Sequence, residues 1–114
     1  MKYKSRAVGS IRIYEFKGRL VGGPEAEKLT QEIKDELAAG ITKFVFDLSQ
    51  VNWINSSGLG VLIMALNPIT KAKGKLKLAG ISEKIESLMM MTRLITIFEI
   101  HSNVEEAIAA FSDD

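Results

Sequence analysis

Side chains with chemical capacity are few in this 114-residue chain, and they do not group as an enzyme needs. The single histidine is His101, and cysteine is absent. Thiolate nucleophiles, thiolate metal sites and disulfides are therefore excluded. No serine stands in a G-x-S-x-G turn, so a Ser-His-Asp triad would rest on His101 alone. Gly58-Leu59-Gly60 offers two glycines of a dinucleotide fingerprint, but Ile63 takes the third position. Gly74-Lys75 has no phosphate loop before it, and no His/Asp/Glu cluster has metal-ligand spacing. The expectation is a chain that is not an enzyme and uses no cofactor or metal.

What remains is one segment, Asp47 to Gly60, with two adjacent hydroxyls at Ser56 and Ser57 between Asn55 and Gly58. An apolar stretch from Leu59 to Ala72 follows, so these residues fall where a helix begins. The first amides of a helix lack intrahelical partners and carry the positive end of its dipole. Two uses of a hydroxyl there are open. It can simply cap the helix, with Gly58 and Gly60 allowing close approach to a sheet. Alternatively it can carry a phosphate, which those amides accommodate and which adds about −1.5 to −2 charges to the surface.

The elements that must position this segment are legible from periodicity. Lys2 to Val8 and Ile11 to Phe16 are β-leaning runs joined by Gly9-Ser10, as in a hairpin. Pro24 suits a first helical turn, and Ala26, Leu29, Ile33 and Leu37 share one helical face before Gly40. Lys43 to Leu48 holds Phe44-Val45-Phe46, apolar without alternation, which predicts a strand covered on both faces. Lys75 to Ala79 alternates strictly and predicts a strand nearer the sheet edge. Ser82 can cap a helix bearing Ile85, Leu88 and Met89, and Ile97 to Ile100 predicts a last short strand. Ser102 or Asn103 then caps a terminal helix with Val104, Ala107, Ile108 and Phe111, and the tail Ser112-Asp113-Asp114 is expected to fray. The order β-β-α-β-α-β-α-β-α implies one α/β domain over residues 1–114. Its sheet is mostly parallel, with four to five strands, an N-terminal hairpin and about four helices.

Hydrophobic residues at 46% and charged residues at 25% fit an ordered globular chain. A net charge of +1 argues against nucleic acid or an anionic bilayer as the main partner. The longest apolar run, Leu59 to Leu66, is too short to span a membrane, and residues 1–10 hold no apolar core of signal-peptide length. The expected location is the cytoplasm, with no direct membrane insertion.

Other side chains have plainer uses. Trp53 is expected in a loop, either as an exposed anchor or packed over the sheet edge. Met89-Met90-Met91 could offer an adaptable contact patch, with at least one facing the core. Glu25, Glu27, Lys28 and the lysines from Lys71 to Lys77 read as solvated faces. Asp47 is expected to hold the loop that follows it.

The stretch D-L-S-x-V-x-x-x-N-S-S-G-L-G-x-L, residues 47–62, resembles the signature of the STAS family, the bacterial anti-sigma factor antagonists. The resemblance extends to Gly18-Arg19-Leu20, to the K-x-x-G-x-L-x-L run from Lys71, and to the closing F-E-I before an acidic helix. It implies that the unphosphorylated form binds a serine kinase that is also the anti-sigma factor, releasing the sigma factor. Phosphorylation of the first serine of the triplet ends binding, and a serine phosphatase restores it. Carried over, the acceptor is Ser56, with Ser57 second; the expected partner contacts around it are Trp53, Asn55, Ser56, Ser57, Gly58 and Leu59. Two residues depart from the family pattern: Asn55 replaces the usual Asp before the acceptor, and Val21 stands where an acid is common. Some STAS domains work without a phosphoserine, as accessory subunits of lipid-transport ABC complexes or as signalling scaffolds. A nucleotide or small anion at the helix start near Gly58 is a third possibility.

Overall fold

The computed structural model describes residues 1–113, without the side chain of Asp113; Asp114, and with it that part of the expected frayed tail, lies outside the described residues. Strands β1 (Lys2–Val8) and β2 (Ile11–Leu20) form the expected hairpin, closed between Val8 and Ile11 with Gly9 at φ 59°. Then come α1 (Pro24–Ala38), β3 (Lys43–Ile54), α2 (Ser56–Lys71), β4 (Lys75–Ala79), α3 (Glu83–Met91), β5 (Glu99–His101) and α4 (Val104–Ala110). The sheet runs β1-β2-β3-β4-β5; its first pair is antiparallel and the others are parallel. Both the element order and the sheet type agree with the pattern reading.

The helices divide unequally between the faces. The larger core joins α1 through Ala26, Leu29 and Ile33, α2 through Leu62 and Ala65, and α3 through Ile85 and Met89 to Tyr14, Phe16, Phe44 and Phe46. On the other face α4, with the 3₁₀ turn that follows it from Phe111, packs Val104, Ala107 and Phe111 on Ile11, Ile13, Val45 and Ala79. Phe44 and Phe46 therefore serve one core and Val45 the other, which is why that run shows no alternation.

Several expectations are corrected. Strand β3 does not end at Leu48 but continues to Ile54, paired with β2 as far as Leu20↔Ile54. Irregularities between Glu15 and Lys17 and between Gly18 and Arg19 shift the pairing, so neither strand keeps a clean period of two over this length. Trp53 accordingly sits on a strand rather than in a loop. Strand β4 is interior, between β3 and β5, and Lys77 is 1% exposed rather than solvated. Its ammonium pairs with the Glu99 carboxylate and lies 4.5 Å above the Phe111 ring. Alternating lysines look like a solvated strand face, but a lysine stem packs well under a helix when its charge reaches a partner. The last strand is Glu99–His101, after a 3₁₀ turn at Leu94–Thr96, instead of Ile97–Ile100.

Near the open end of the hairpin, the enclosed Tyr3 hydroxyl is pushed up to about 12 by burial and then by the Glu32 carboxylate. A phenol whose folded pKa is raised stabilises the fold below its unfolded value near 10, and that contribution is lost as pH rises toward about 12. In a pH titration Tyr3→Phe is expected to flatten the loss of stability between about pH 10 and 12, read from urea midpoints. An unchanged pH slope in Tyr3→Phe would contradict this.

Candidate functional site

The start of α2 is assembled from three segments. Asn55 is its N-cap, in extended conformation, and its side-chain Oδ1 accepts from the Gly58 amide at 3.0 Å. The same oxygen accepts from Ser57 Oγ at 2.6 Å. Ser57 Oγ in turn accepts from the amide of Gly22, 35 residues earlier, at 3.0 Å. This ties the loop after β2 to the first turn of α2. At Gly58 helix and sheet approach closely: a Cβ there would lie 2.1 Å from the Leu20 carbonyl oxygen and 2.7 Å from Ile54 Cγ1. The expected close approach is thus real at Gly58, whereas nothing lies within 4 Å of a Cβ placed on Gly60.

The two serines differ in their freedom. Ser57 is held from both sides, while the exposed Ser56 makes no side-chain hydrogen bond among the described residues. No acidic side chain stands in the first turn of α2, so nothing there offsets the positive end of its dipole. A group attached to Ser56 Oγ would project into solvent beside those amides without first breaking a bond.

The remaining site residues are not all surface groups. Gly58 is buried, and Leu59 is 7% exposed within the larger core. Asn55, Ser56 and Ser57 are exposed and adjacent. Trp53 is half-buried on β3, opposite Arg19 in the pairing, and the Arg19 guanidinium lies 4.0 Å over its ring. That cation–π contact covers a face of the indole, so Trp53 packs on the sheet and is only half-buried. Asp47 Oδ1 accepts from the Ser49 amide at 3.0 Å, so it holds the backbone after it as expected, although that backbone is strand. Met89 is core, while Met90 and Met91 are exposed. Two surface grooves, of about 450 and 210 Å³, both include Asp47 in their linings but not Asn55, Ser56 or Ser57, so Ser56 is presented on the surface outside both.

Sequence reasoning did not find Gly22 or Arg19 as neighbours of this site. Gly22 meets Ser57 only because β2 and β3 run parallel and end together, which no local spacing records. The cap itself gives a measurable expectation: Asn55→Ala should cost about 1 kcal/mol of stability, and Asn55→Asp should gain about 0.3–1 kcal/mol from its charge at the helix start. Urea denaturation checks both, and a neutral Asn55→Ala would show the Oδ1 contacts to be idle.

Known proteins of similar sequence and shape agree with this architecture. The profile of the STAS domain matches residues 2–107. BtrV of Bordetella bronchiseptica, provisionally named an anti-sigma factor antagonist, is 26% identical over 92 residues, covering 81% of this chain and 79% of BtrV. The anti-sigma-B factor antagonist of Listeria monocytogenes is 37% identical over 59 residues, covering 52% of this chain and 51% of that protein. A crystal structure from Thermotoga maritima, bearing the same provisional name as BtrV, superposes with a TM-score of 0.81 at 27% identity, over 95% of this chain and 92% of that one. With a domain profile that spans nearly every element and a fold shared over the whole sheet, the chain belongs to the STAS domain family.

Proposed function

We propose that this protein is an anti-sigma factor antagonist, a non-enzymatic binding module that docks on a serine-kinase anti-sigma factor and is switched off by phosphorylation of Ser56. The observation that carries the reading is the contrast at the start of α2: Ser56 is exposed and makes no side-chain hydrogen bond among the described residues, whereas Ser57 is engaged by Asn55 and Gly22. A kinase can take Ser56 without disturbing the cap. A phosphate there adds about −1.5 to −2 charges to the docking surface while the helix amides stabilise it in place. The fold need not change for binding to end. The names carried by BtrV and the Listeria relative support the same assignment. Asn55 keeps the capping oxygen that the usual Asp would supply, without its charge. A serine phosphatase closes the cycle in this reading.

The test is intact-mass analysis of the protein isolated from its own host, before and after serine phosphatase, followed by peptide mapping. One phosphate on Ser56, removed by the phosphatase, is the expected result. Phosphate on Ser57 instead would shift the acceptor. An unmodified chain in every growth state would overturn the switch and favour a STAS accessory subunit of a transporter, or a signalling scaffold, which copurification would then identify.

A further inference from the structure

Charge is unevenly placed along this chain. In residues 1–20, Lys2, Lys4, Arg6, Arg12, Lys17 and Arg19 stand against Glu15 alone, leaving that segment at +5. The remainder holds nine Lys and Arg and thirteen Asp and Glu, leaving it at −4. A net charge of +1 conceals this separation.

The sheet concentrates the positive end. Pairing sets Lys2 opposite Lys17, Lys4 opposite Glu15 and Arg6 opposite Ile13. Ile13 belongs to the core beneath α4, so by the pleat Lys2, Lys4 and Arg6 project on that side of the sheet. Beyond α4 this face is open, as a groove of about 450 Å³ whose lining includes Lys2, Lys4, Glu15, Lys17, Asp47 and Gln50. Lys4 and Arg6 both pair with Glu15, at 3.5 and 3.0 Å, and Arg6 holds that carboxyl below its usual range. Lys2 and Lys17 have no ion pair among the described residues. Strand β1 is also the sheet's edge, and its outer side pairs with no other strand among the described residues.

We propose that β1 is a second docking edge, separate from Ser56, which receives an extended acidic segment of a partner protein as an added strand. Alternate residues of any strand are about 6.6 Å apart, so acids at every second position of the guest meet Lys2, Lys4 and Arg6 in register. Main-chain hydrogen bonds to β1 supply the attachment, and the cations select the guest. A second copy of β1 is a poor guest, because it brings lysines against lysines. A uniform polyanion is a poor one too: it cannot use the edge amides and carbonyls, and it meets the Glu15 and Asp47 carboxylates in the groove.

The probe is a fluorescein-labelled peptide of alternating Glu and Thr, followed by anisotropy at low and physiological salt and by amide exchange of Lys2–Val8. Saturable binding, slowed exchange in β1 and an affinity loss of about tenfold or more in Lys2→Glu/Lys4→Glu are expected. The same peptide N-methylated at alternate residues should not bind the unaltered protein, which tests the ladder without any mutation. Lys28→Glu/Lys34→Glu on α1 makes the same change in net charge and should leave affinity within about threefold. Equal loss in that control, equal binding of the methylated peptide, or tighter binding of duplex DNA or phosphatidylserine vesicles would each overturn the proposal. No binding at low salt would do so as well, and would mean that the charges only guard the edge against self-pairing.

Discussion

Replacing Ser56 by Asp is expected to weaken binding of the partner kinase by about tenfold or more, which corresponds to about 1.4 kcal/mol. The carboxylate would introduce charge at a position that is exposed and makes no side-chain hydrogen bond among the described residues. It lies beside α2 amides that would stabilise the charge in the free protein, and a partner shaped for a neutral hydroxyl would have to desolvate it. Asp carries less charge than a phosphate, so the effect should fall short of full phosphorylation. Ser56→Ala should bind within about threefold of the unaltered protein and resist modification, since it removes no bond that holds the site. Ser57→Ala should behave differently. It leaves the Gly22 amide without its acceptor, costs about 1 kcal/mol of stability, and leaves Ser56 a substrate. Calorimetric titration of each variant against the copurified kinase gives the comparison. Unchanged affinity in Ser56→Asp would sink the switch.

Gly58→Ala should be the most damaging single methyl in the chain. Its Cβ would be 2.1 Å from the Leu20 carbonyl oxygen and 2.9 Å from the Leu20 carbonyl carbon, both backbone atoms in a buried strand. No rotamer change relieves such a contact, so α2 must move away from β2. That movement would strain the Gly22–Ser57 bond and the packing of Leu59 and Leu62. The expected cost is about 3 kcal/mol or more, a large share of the stability of a domain this size. Gly60→Ala is the internal comparison. It sits in the same helix with open space around its Cβ and should stabilise by up to about 1 kcal/mol through helix propensity. Thermal melts of the two variants decide the matter, and similar melting temperatures would show that the close approach is not what holds α2 in place.

These two residues mark the boundary between what is local and what is not. Asn55, Ser56 and Ser57 were recognisable as a helix start because capping needs only a side chain and amides two or three residues ahead. Ser82, and Asn103 as one of two candidates with Ser102, were legible for the same reason, and each accepts from the amide three residues on. Element order was likewise readable, since it follows from hydrophobic period and punctuation by glycine and proline. The length of β3 was not. Its pairing with β2 slips at Glu15/Lys17 and again at Gly18/Arg19, and a slipped register leaves no period to count.

Sequence alone therefore determined the α/β order, the helix starts and the pair of serines on which the STAS resemblance rests. Tertiary structure decided the questions that depend on distant neighbours. It separated Ser56 from Ser57 by bringing the Gly22 amide across 35 residues, turned Leu59 into the core, and put Trp53 on a strand under Arg19. It also buried Lys77, because the sheet order places β5 beside, and the fold lays Phe111 over, a strand whose alternation suggested an edge. A cap or a turn is settled by bonds within a few residues. Burial and hydrogen-bond freedom are settled by whichever segment the fold lays alongside.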